Sequence, residues 1–233
     1  MNTKVKLIHY LIQCGIKSRR ALMNDIINGS VTINGHSCAD SGTIINPSDT
    51  IKLKGKIVKA KTNSMYVAFH KPVGYECTHD KQKKNIYQFF KHLHHHLFSI
   101  GRLDIMTSGL LIITNDGVFA NKIAHPSNEI EKEYRIIVDE TIDDNHITEL
   151  QKPISIEHQL VCAKKISKKT NHCIHITVVD GKKHEVRLLV ANAGLTLNKL
   201  KRIRIGSLSL GDLKPGELRH LNNNEKQQLL TNQ

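Results

Sequence analysis

The segment SIGRLDIMTSGLLIITNDG, residues 99–117, places a short apolar run between two groups of turn-forming residues. The run LLII at 110–113 is continuous, which predicts a strand that is buried on both faces. Just before it, GRLD at 101–104 puts Asp104 on a glycine-hinged loop. A carboxylate in such a loop either accepts hydrogen bonds from nearby N–H groups, as the spacing alone favours, or is held rigidly for chemistry.

Three further patterns lie around this segment. Residues 65–69 have strand character and precede a turn with the sequence KPVG, and residues 134–138 alternate like a half-buried strand. Residues 185–193 predict a helix that ends at Gly194. Arg187 lies off the apolar stripe of that helix, so its side chain is expected to face away from the core.

The first 30 residues predict two helices. Apolar residues recur at helical spacing over 5–14, and a second helix over 19–28 follows Ser18, a typical N-cap residue. Arg19 and Arg20 occupy the first turn of the second helix, where positive charge opposes the helix dipole. Two guanidinium groups at a helix start suit a phosphate, so we predict that Arg19 and Arg20 contact phosphate groups.

A small β unit is expected after these helices. Residues 31–33 precede Asn34-Gly35, a pair that favours a tight hairpin turn because both residues tolerate positive φ. Residues 51–54 alternate, with lysines on the outer face. Residues 54–64, KGKIVKAKTNS, are polar and lack apolar periodicity, which predicts an interdomain linker.

The charge balance indicates a polyanionic partner. The chain has 233 residues, with 34 Lys and Arg against 21 Asp and Glu, which gives a formal net charge of +13. With five Phe, five Tyr and no Trp, it lacks the aromatic side chains for a multi-base stacking platform, so charge should dominate nucleic-acid binding.

Cysteine usage and hydropathy suggest where the protein works. Its five cysteines are scattered without a C-x-x-C pair, which argues against a disulfide framework or a zinc ribbon and favours the reducing cytoplasm. No apolar segment approaches the roughly 20 residues of a membrane span. We therefore expect a cytoplasmic protein that does not bind membranes, and nothing in the composition requires more than a monomer.

The N-terminal patterns resemble the small RNA-binding domain named after ribosomal small-subunit protein four. The resemblance rests on the helix pair, on Ser18-Arg19-Arg20 and on GSVTING at 29–35. It implies an αα-β module for structured RNA over residues 1–60, followed by a catalytic domain over residues 61–233. Modules of this kind occur in proteins of several functions, so this resemblance does not specify a reaction.

The remaining motifs resemble the RsuA-type family of bacterial ribosomal RNA pseudouridine synthases. They are GRLDIMTSGLL at 101–111, with KPVG at 71–74, HPS at 125–127, EKEY at 131–134, DGKKHEVR at 180–187 and KRIRIG at 201–206. The resemblance implies an α+β fold with a mixed, largely antiparallel sheet flanked by helices. It also implies isomerisation of uridine to pseudouridine in ribosomal RNA, either naked or in an assembling ribosomal subunit, without a cofactor or a metal.

The resemblance assigns three catalytic residues. Asp104 matches the catalytic aspartate, which would attack carbon 6 of the uracil ring or carbon 1′ of the ribose, and both routes stay open. Tyr134 matches the tyrosine on which the target uracil stacks. Arg187 matches the basic partner of the aspartate, whose guanidinium would favour the ionised carboxylate and bind it bidentately.

Basic residues near these motifs are expected to contact RNA, with binding that weakens steeply as salt rises. Arg102 would either contact the backbone beside the flipped nucleotide or fill the space that this nucleotide vacates. The other predicted contacts, besides Arg19 and Arg20, are Lys71, Lys182, Lys183, Arg202 and Arg204.

Two other functions compete with this prediction. A metal-dependent RNA hydrolase could use the histidines at 92–96 and 172–175, but these lack carboxylate partners at ligand spacing, and adjacent histidines more often lie on a solvated face. A non-catalytic RNA-binding or ribosome-assembly factor would keep the fold without the activity. The presence of Asp104, Tyr134 and Arg187 together argues against that second alternative.

Overall fold

A computed structural model of the chain describes residues 4–59, 64–93 and 97–231. The described residues form two compact units. The first unit lies within Met1–Met65, Leu93–Phe98 and Thr114–Phe119, and the second within Tyr66–His92, Ser99–Ile113 and Ala120–Gln233. No helix in the described ranges has the length and apolar character needed to cross a membrane.

The first unit combines two helices with short strands. Its core is formed by buried aliphatic residues from both helices and from the strands, among them Leu11, Ile26, Val31 and Ile51. The elements up to residue 59 are β1 (Val5–Lys6), α1 (Leu7–Gln13), α2 (Arg19–Ile27), β2 (Val31–Ile33), β3 (His36–Ser37), β4 (Ile44–Ile45), β5 (Ile51–Leu53) and β6 (Lys56–Ile57). The strands pair in the order β3-β2-β5-β6, and β1 pairs with β4.

Two local predictions for this unit are confirmed. Ser18 caps α2, and its side chain accepts a hydrogen bond from the N–H of Ala21 at 3.3 Å. Asn34 and Gly35 join β2 to β3 with φ of 51° and 91°, the positive values that a tight hairpin turn requires.

Two other predictions for this unit need correction. Val5 and Lys6 form a strand, so the first helix starts at Leu7. The predicted linker at 54–64 begins with a second hairpin, because Lys54 and Gly55 adopt φ of 49° and 77° and return the chain as β6. Residues 60–63 of this segment lie outside the described residues. Val58 is then buried in the core. Its burial could not be predicted, because the few apolar residues of this lysine-rich segment show no regular spacing.

The second unit is built on one mixed, largely antiparallel sheet, as expected. The elements from residue 64 onward are β7 (Tyr66–Lys71), β8 (Phe98–Ile100), β9 (Ser108–Thr114), α3 (Gly117–Ala124), β10 (Lys132–Val138), α4 (Asp144–Gln151), β11 (Ile154–Ile156), β12 (Gln159–Val161), β13 (Lys165–Thr170), β14 (Cys173–Val178), α5 (Glu185–Asn192), β15 (Leu197–Ile205), β16 (Leu208–Ser209), β17 (Leu218–His220) and α6 (Asn223–Thr231), with 3₁₀ turns at Ile86–Leu93 and Pro126–Asn128. In the described residues nine strands form the sheet, with the main order β13-β14-β10-β15-β9-β7-β17.

The apolar run at 110–113 lies inside β9, and all four of its side chains are fully buried, as its continuous hydrophobicity predicted. The predicted helix over 185–193 is α5, which buries Val186 and Leu189. Gly194 follows it with φ of 75°, so both of these elements are confirmed.

Three neighbouring strands bring distant residues together in one row. Tyr134 of β10 lies opposite Arg202 of β15 in an antiparallel pairing, and Arg202 lies opposite Gly109 of β9 in a parallel pairing. A Cβ at Gly109 would lie 2.2 Å from the main-chain oxygen of Arg202, so only glycine permits this approach. The Asp104 loop leads directly into this row.

Candidate active site

A cleft of about 810 Å³ lies in the second unit. It is lined by the Asp104 loop, by Tyr134 and Arg202 of the central strands, and by the turn that precedes α5. Seven lysines and arginines among its lining residues outnumber four carboxylates. A concave site with this excess of positive charge attracts a polyanion such as RNA.

Asp104 sits at the edge of this cleft. Its side chain is 38% exposed, so the carboxylate is open to a substrate that enters from solvent. Its main-chain oxygen accepts a hydrogen bond from the N–H of Thr107 at 3.0 Å, which closes the loop just before β9. The loop is therefore ordered by its own backbone while the acidic group remains accessible.

Lys71 lies underneath the loop. It is fully buried, and its ammonium donates hydrogen bonds to the main-chain oxygens of Pro72, Ile105 and Thr107 at 3.1, 3.3 and 2.8 Å. Burial lowers the pKa of Lys71 to about 8, a shift that the nearby Cys77 and Asp104 oppose. The structure contradicts the predicted RNA contact of Lys71, because this ammonium ties two chain segments together beneath Asp104 and does not reach the surface.

Two cationic or potentially cationic groups face the carboxylate of Asp104. The Nδ1 of His184 lies 3.2 Å from Asp104 Oδ2, and the Nε of Arg187 lies 3.8 Å from the same oxygen. Arg187 also donates from Nη2 to the hydroxyl of Thr107 at 3.1 Å. The predicted pairing of Arg187 with Asp104 is present, but it involves one long contact and is not bidentate, because part of the guanidinium fork is used by Thr107.

Tyr134 and Arg202 form the inner part of the cleft. Tyr134 is 8% exposed and borders the same cavity as Asp104. Arg202 is 4% exposed, and it donates from Nε to the oxygen of Leu110 at 2.8 Å and from Nη1 to the hydroxyl of Tyr134 at 3.5 Å. The predicted RNA contact of Arg202 is not supported by its placement, because the side chain is buried and its guanidinium is bonded to Leu110 and Tyr134.

A family model described as RNA pseudouridylate synthase matches residues 65–192, which is more than half of the chain and includes Asp104, Tyr134 and Arg187. The chain belongs to this family. It is an RNA pseudouridine synthase.

The relatives of the synthase match it over nearly its full length. An uncharacterized RNA pseudouridine synthase of Aquifex aeolicus is 33% identical, with 97% of this chain and 94% of the relative covered. Ribosomal large subunit pseudouridine synthase B of Bacillus subtilis is 33% identical, with 96% and 95% covered. A crystal structure of a pseudouridylate synthase superposes with a TM-score of 0.71 at 27% identity, covering 97% of this chain and 99% of that one.

Arg204 of the synthase is engaged within the protein. Its Nε donates to Glu133 Oε2 at 2.8 Å and its Nη2 to Glu131 Oε2 at 3.0 Å. These two carboxylates offset the charge of the guanidinium, so the predicted phosphate contact of Arg204 is not supported by its placement. Both acidic partners belong to the EKEY motif at 131–134, in which only Tyr134 had an assigned role.

The remaining predicted RNA contacts are placed at surfaces. Arg102 and Lys183 are exposed and line the cleft, and Lys182 lines it as well while its ammonium contacts the side chain of Gln159. Arg19 and Arg20 are exposed in the first turn of α2. All five side chains can meet RNA without a rearrangement of the core, and their contacts with RNA stay predictions.

The histidine tracts do not form a metal-binding group in the described residues. His92 is exposed, and His94 to His96 lie outside the described ranges. His172 and His175 contact the oxygen of Glu140 and the carboxylate of Glu133, respectively. Within those ranges, no three or more His, Cys, Asp and Glu side chains come together in a way that could hold a metal ion.

The structure adds His184 and Glu185 to the residues predicted for the site. Glu185 is buried, and its Oε2 accepts hydrogen bonds from the N–H groups of Gly181 and Lys182 at 2.7 and 3.0 Å. Burial raises the pKa of Glu185, against the effect of these two hydrogen bonds. This carboxyl group fixes the turn that presents His184. His184 lies three residues before Arg187, and this spacing in the sequence could have indicated that both side chains face the same side of the helix start.

Proposed function

We propose that the synthase converts a uridine of ribosomal RNA into pseudouridine, with Asp104 as the nucleophile and without a cofactor. The observation that carries the proposal is the exposed carboxylate of Asp104 at the edge of a cationic cleft, with His184 and Arg187 both facing its Oδ2. Ribosomal RNA is the substrate class because the Bacillus subtilis relative is named for the large ribosomal subunit. Large-subunit RNA is therefore the first substrate to test.

The reaction breaks the bond between N1 of uracil and C1′ of ribose, turns the base, and joins C5 to C1′. No electrons are exchanged with a second molecule and no outside group is transferred, so the protein groups of the cleft are sufficient in principle. The target base has to leave its stack to reach Asp104, which costs a few kcal/mol and favours a loop or an irregular helix as the target.

Each of the three assigned residues has a distinct task. Asp104 adds to C6 of the base or assists at C1′ of the ribose, and either route needs an ionised carboxylate that can approach the nucleotide. Arg187 provides a fixed positive charge 3.8 Å from that carboxylate and limits its rotation. Tyr134 presents an aromatic ring in the same cleft, on which the extruded uracil stacks.

The first unit serves as the RNA-docking module in this proposal. Arg19 and Arg20 lie together at the start of α2 and are exposed, and a helix start with two guanidinium groups binds phosphate well. The support is local, since it consists of these two residues, the capped helix and the hairpin at Asn34-Gly35. We assign no reaction step to this unit.

Mapping of pseudouridine in ribosomal RNA tests the substrate class. RNA from cells that lack the synthase is expected to lose pseudouridine at one or a few positions, and the purified enzyme should restore it on the same transcript. A full set of pseudouridines in ribosomal RNA from these cells, with a loss in another RNA class, would contradict the proposed substrate.

A double substitution, Arg19→Ala with Arg20→Ala, tests the docking module. The loss of two phosphate contacts should reduce RNA affinity and lower the slope of log K against log salt by about 1.5. The apparent KM should rise while kcat on saturating RNA stays close to that of the wild type. Binding titrations at several salt concentrations, with single-turnover kinetics, measure both effects.

The matched control for that variant is Lys122→Ala with Lys169→Ala. These two lysines are exposed and do not line the cleft, and their loss changes the net charge by the same amount. Equal loss of affinity in the two double variants would show that only overall charge matters, and Arg19 and Arg20 would then have no specific role.

A further inference from the structure

Pseudouridine formation requires a proton movement that the three assigned residues leave open. The substrate carries hydrogen on C5 and none on N1, whereas the product carries hydrogen on N1 and none on C5. A group in the cleft therefore has to accept one proton and deliver one. Histidine suits this task because its imidazole ring exchanges protons near neutral pH.

We propose that His184 accepts the C5 proton of the target base and returns a proton to N1, an inference that rests on the proposed function. Its ring lies within hydrogen-bonding distance of the group that must touch the nucleotide, since Nδ1 is 3.2 Å from Asp104 Oδ2. The side chain is 44% exposed and lines the cleft. It is the only histidine among the cleft-lining residues in the described part of the chain.

The backbone around His184 is built to present the ring. His184 precedes α5 with φ of 59°, a left-handed conformation that few side chains other than Gly, Asn, Asp and His adopt. Glu185 holds the preceding turn through the N–H groups of Gly181 and Lys182. The main-chain oxygen of His184 accepts from the N–H of Leu188 at 2.9 Å, which joins this residue to the helix that carries Arg187.

The contact with Asp104 also selects the reactive nitrogen. Nδ1 faces the carboxylate of Asp104 at 3.2 Å, and this negative charge favours a proton on Nδ1, so the lone pair of a neutral imidazole is on Nε2. A carboxylate that orients a histidine in this way is a common arrangement for a general base. Nε2 is thus the atom that takes the proton from C5.

Other groups of the cleft are less suited to carry the proton. Burial raises the pKa of the Cys77 thiol, and Cys77 Sγ lies 3.5 Å from the main-chain N and O of Leu103. The ammonium of Lys71 is fully buried on three carbonyl oxygens. Glu185 is buried, and one of its carboxylate oxygens accepts the two hydrogen bonds that hold the turn.

The step balances on either route. Once C5 has joined C1′, the C5–H bond breaks, its proton goes to Nε2, and its electron pair forms the C5=C6 double bond. On the route through C6, this expels the carboxylate of Asp104 from C6; on the route through C1′, it moves the pair of the N1=C6 bond onto N1. The imidazolium then protonates the N1 anion, which gives the product and restores the neutral ring.

The test uses His184→Asn in the full-length enzyme. Asparagine tolerates the left-handed backbone and can still donate a hydrogen bond to Asp104, but it cannot take up a proton. We expect single-turnover conversion of ribosomal RNA with [5-³H]uridine to slow about 100-fold or more, with tritium release slowed equally. The kinetic isotope effect with deuterium at C5 should rise, because loss of the C5 proton becomes the slow step, while RNA affinity stays unchanged.

The control is His158→Asn, which removes an exposed histidine with φ of 64° that does not line the cleft. It should react at the rate of the wild type, and the melting temperatures of both variants establish that they are folded. Conversion by His184→Asn at the wild-type rate, or a slower rate without a larger isotope effect, would overturn the proposal and leave His184 with at most a positioning role.

Two further results separate this inference from the proposed function. A larger isotope effect in Tyr134→Phe but not in His184→Asn would assign the proton to the tyrosine hydroxyl and overturn the role of His184. Failure of the wild-type enzyme to form pseudouridine in any ribosomal RNA would overturn the proposed function itself.

Discussion

Asp104→Asn is expected to abolish pseudouridine formation while RNA affinity changes by no more than a few-fold. The substitution keeps the shape of the side chain and removes the charge and the nucleophilic oxygen on which both reaction routes depend. A loss of at least about 1,000-fold in the single-turnover rate is expected, which is a barrier increase of about 4 kcal/mol. Quantification of pseudouridine in the reacted RNA, with a separate binding titration, measures the two quantities.

The control for this substitution is Asp212→Asn, which removes one exposed carboxylate outside the cleft. It should convert RNA at the wild-type rate. Turnover by Asp104→Asn close to that of the control would refute the role of Asp104. An equal fall in RNA affinity and rate would indicate a binding residue and not a nucleophile.

Gly109→Ala is expected to have the largest effect on stability. The added Cβ would lie 2.2 Å from the main-chain oxygen and 2.5 Å from the main-chain nitrogen of Arg202, at a φ of 116°. Backbone atoms cannot move aside as a flexible side chain can, so β9 and β15 have to separate. Overpacking and backbone strain together should cost about 3–5 kcal/mol, and thermal unfolding should shift down by roughly 10 °C.

Gly74→Ala separates the two causes of that loss. Gly74 has φ of 88°, and a Cβ there meets no atom within 4 Å, so this variant carries backbone strain without a clash. It should lose only about 1–2 kcal/mol. Equal destabilisation by the two alanines would show that the close approach of Gly109 to Arg202 is unimportant.

The motif around Asp104 shows which structural features can be predicted from a short stretch of sequence. Continuous hydrophobicity at 110–113 was enough to predict a fully buried strand. The glycine-hinged loop before it placed Asp104 beside that strand, but its spacing alone favoured a structural role, and only the family resemblance made Asp104 the catalytic candidate. The strand and the loop depend on neighbours along the chain. The same reasoning predicted the Ser18 cap and the Asn34-Gly35 hairpin, because caps and tight turns are formed by adjacent residues.

The basic residues show where that reasoning fails. Lys71, Arg202 and Arg204 were predicted to contact RNA because each lies in a basic motif. The fold buries Lys71 on three carbonyl oxygens, bonds Arg202 to the oxygen of Leu110 and the hydroxyl of Tyr134, and pairs Arg204 with two glutamates. The sequence alone does not show whether a basic side chain is paired with a carbonyl oxygen, with a carboxylate of the same protein or with an RNA phosphate.

By itself the sequence determined the separate strands, helices and turns and the preference for a polyanionic partner, because hydrophobic period, turn chemistry and net charge are properties of adjacent residues or of the whole composition. The fold class and the candidate nucleophile Asp104 came from the resemblance of its motifs to a known family. Only the tertiary structure decided which charges are free, and it added His184 to Arg187 as a group that faces Asp104. His184 directly precedes α5 and Arg187 lies in its first turn, some 80 positions along the chain from Asp104. Their approach depends on strand register and on one glycine at a backbone crossing, and such long-range contacts leave no periodic trace in the sequence.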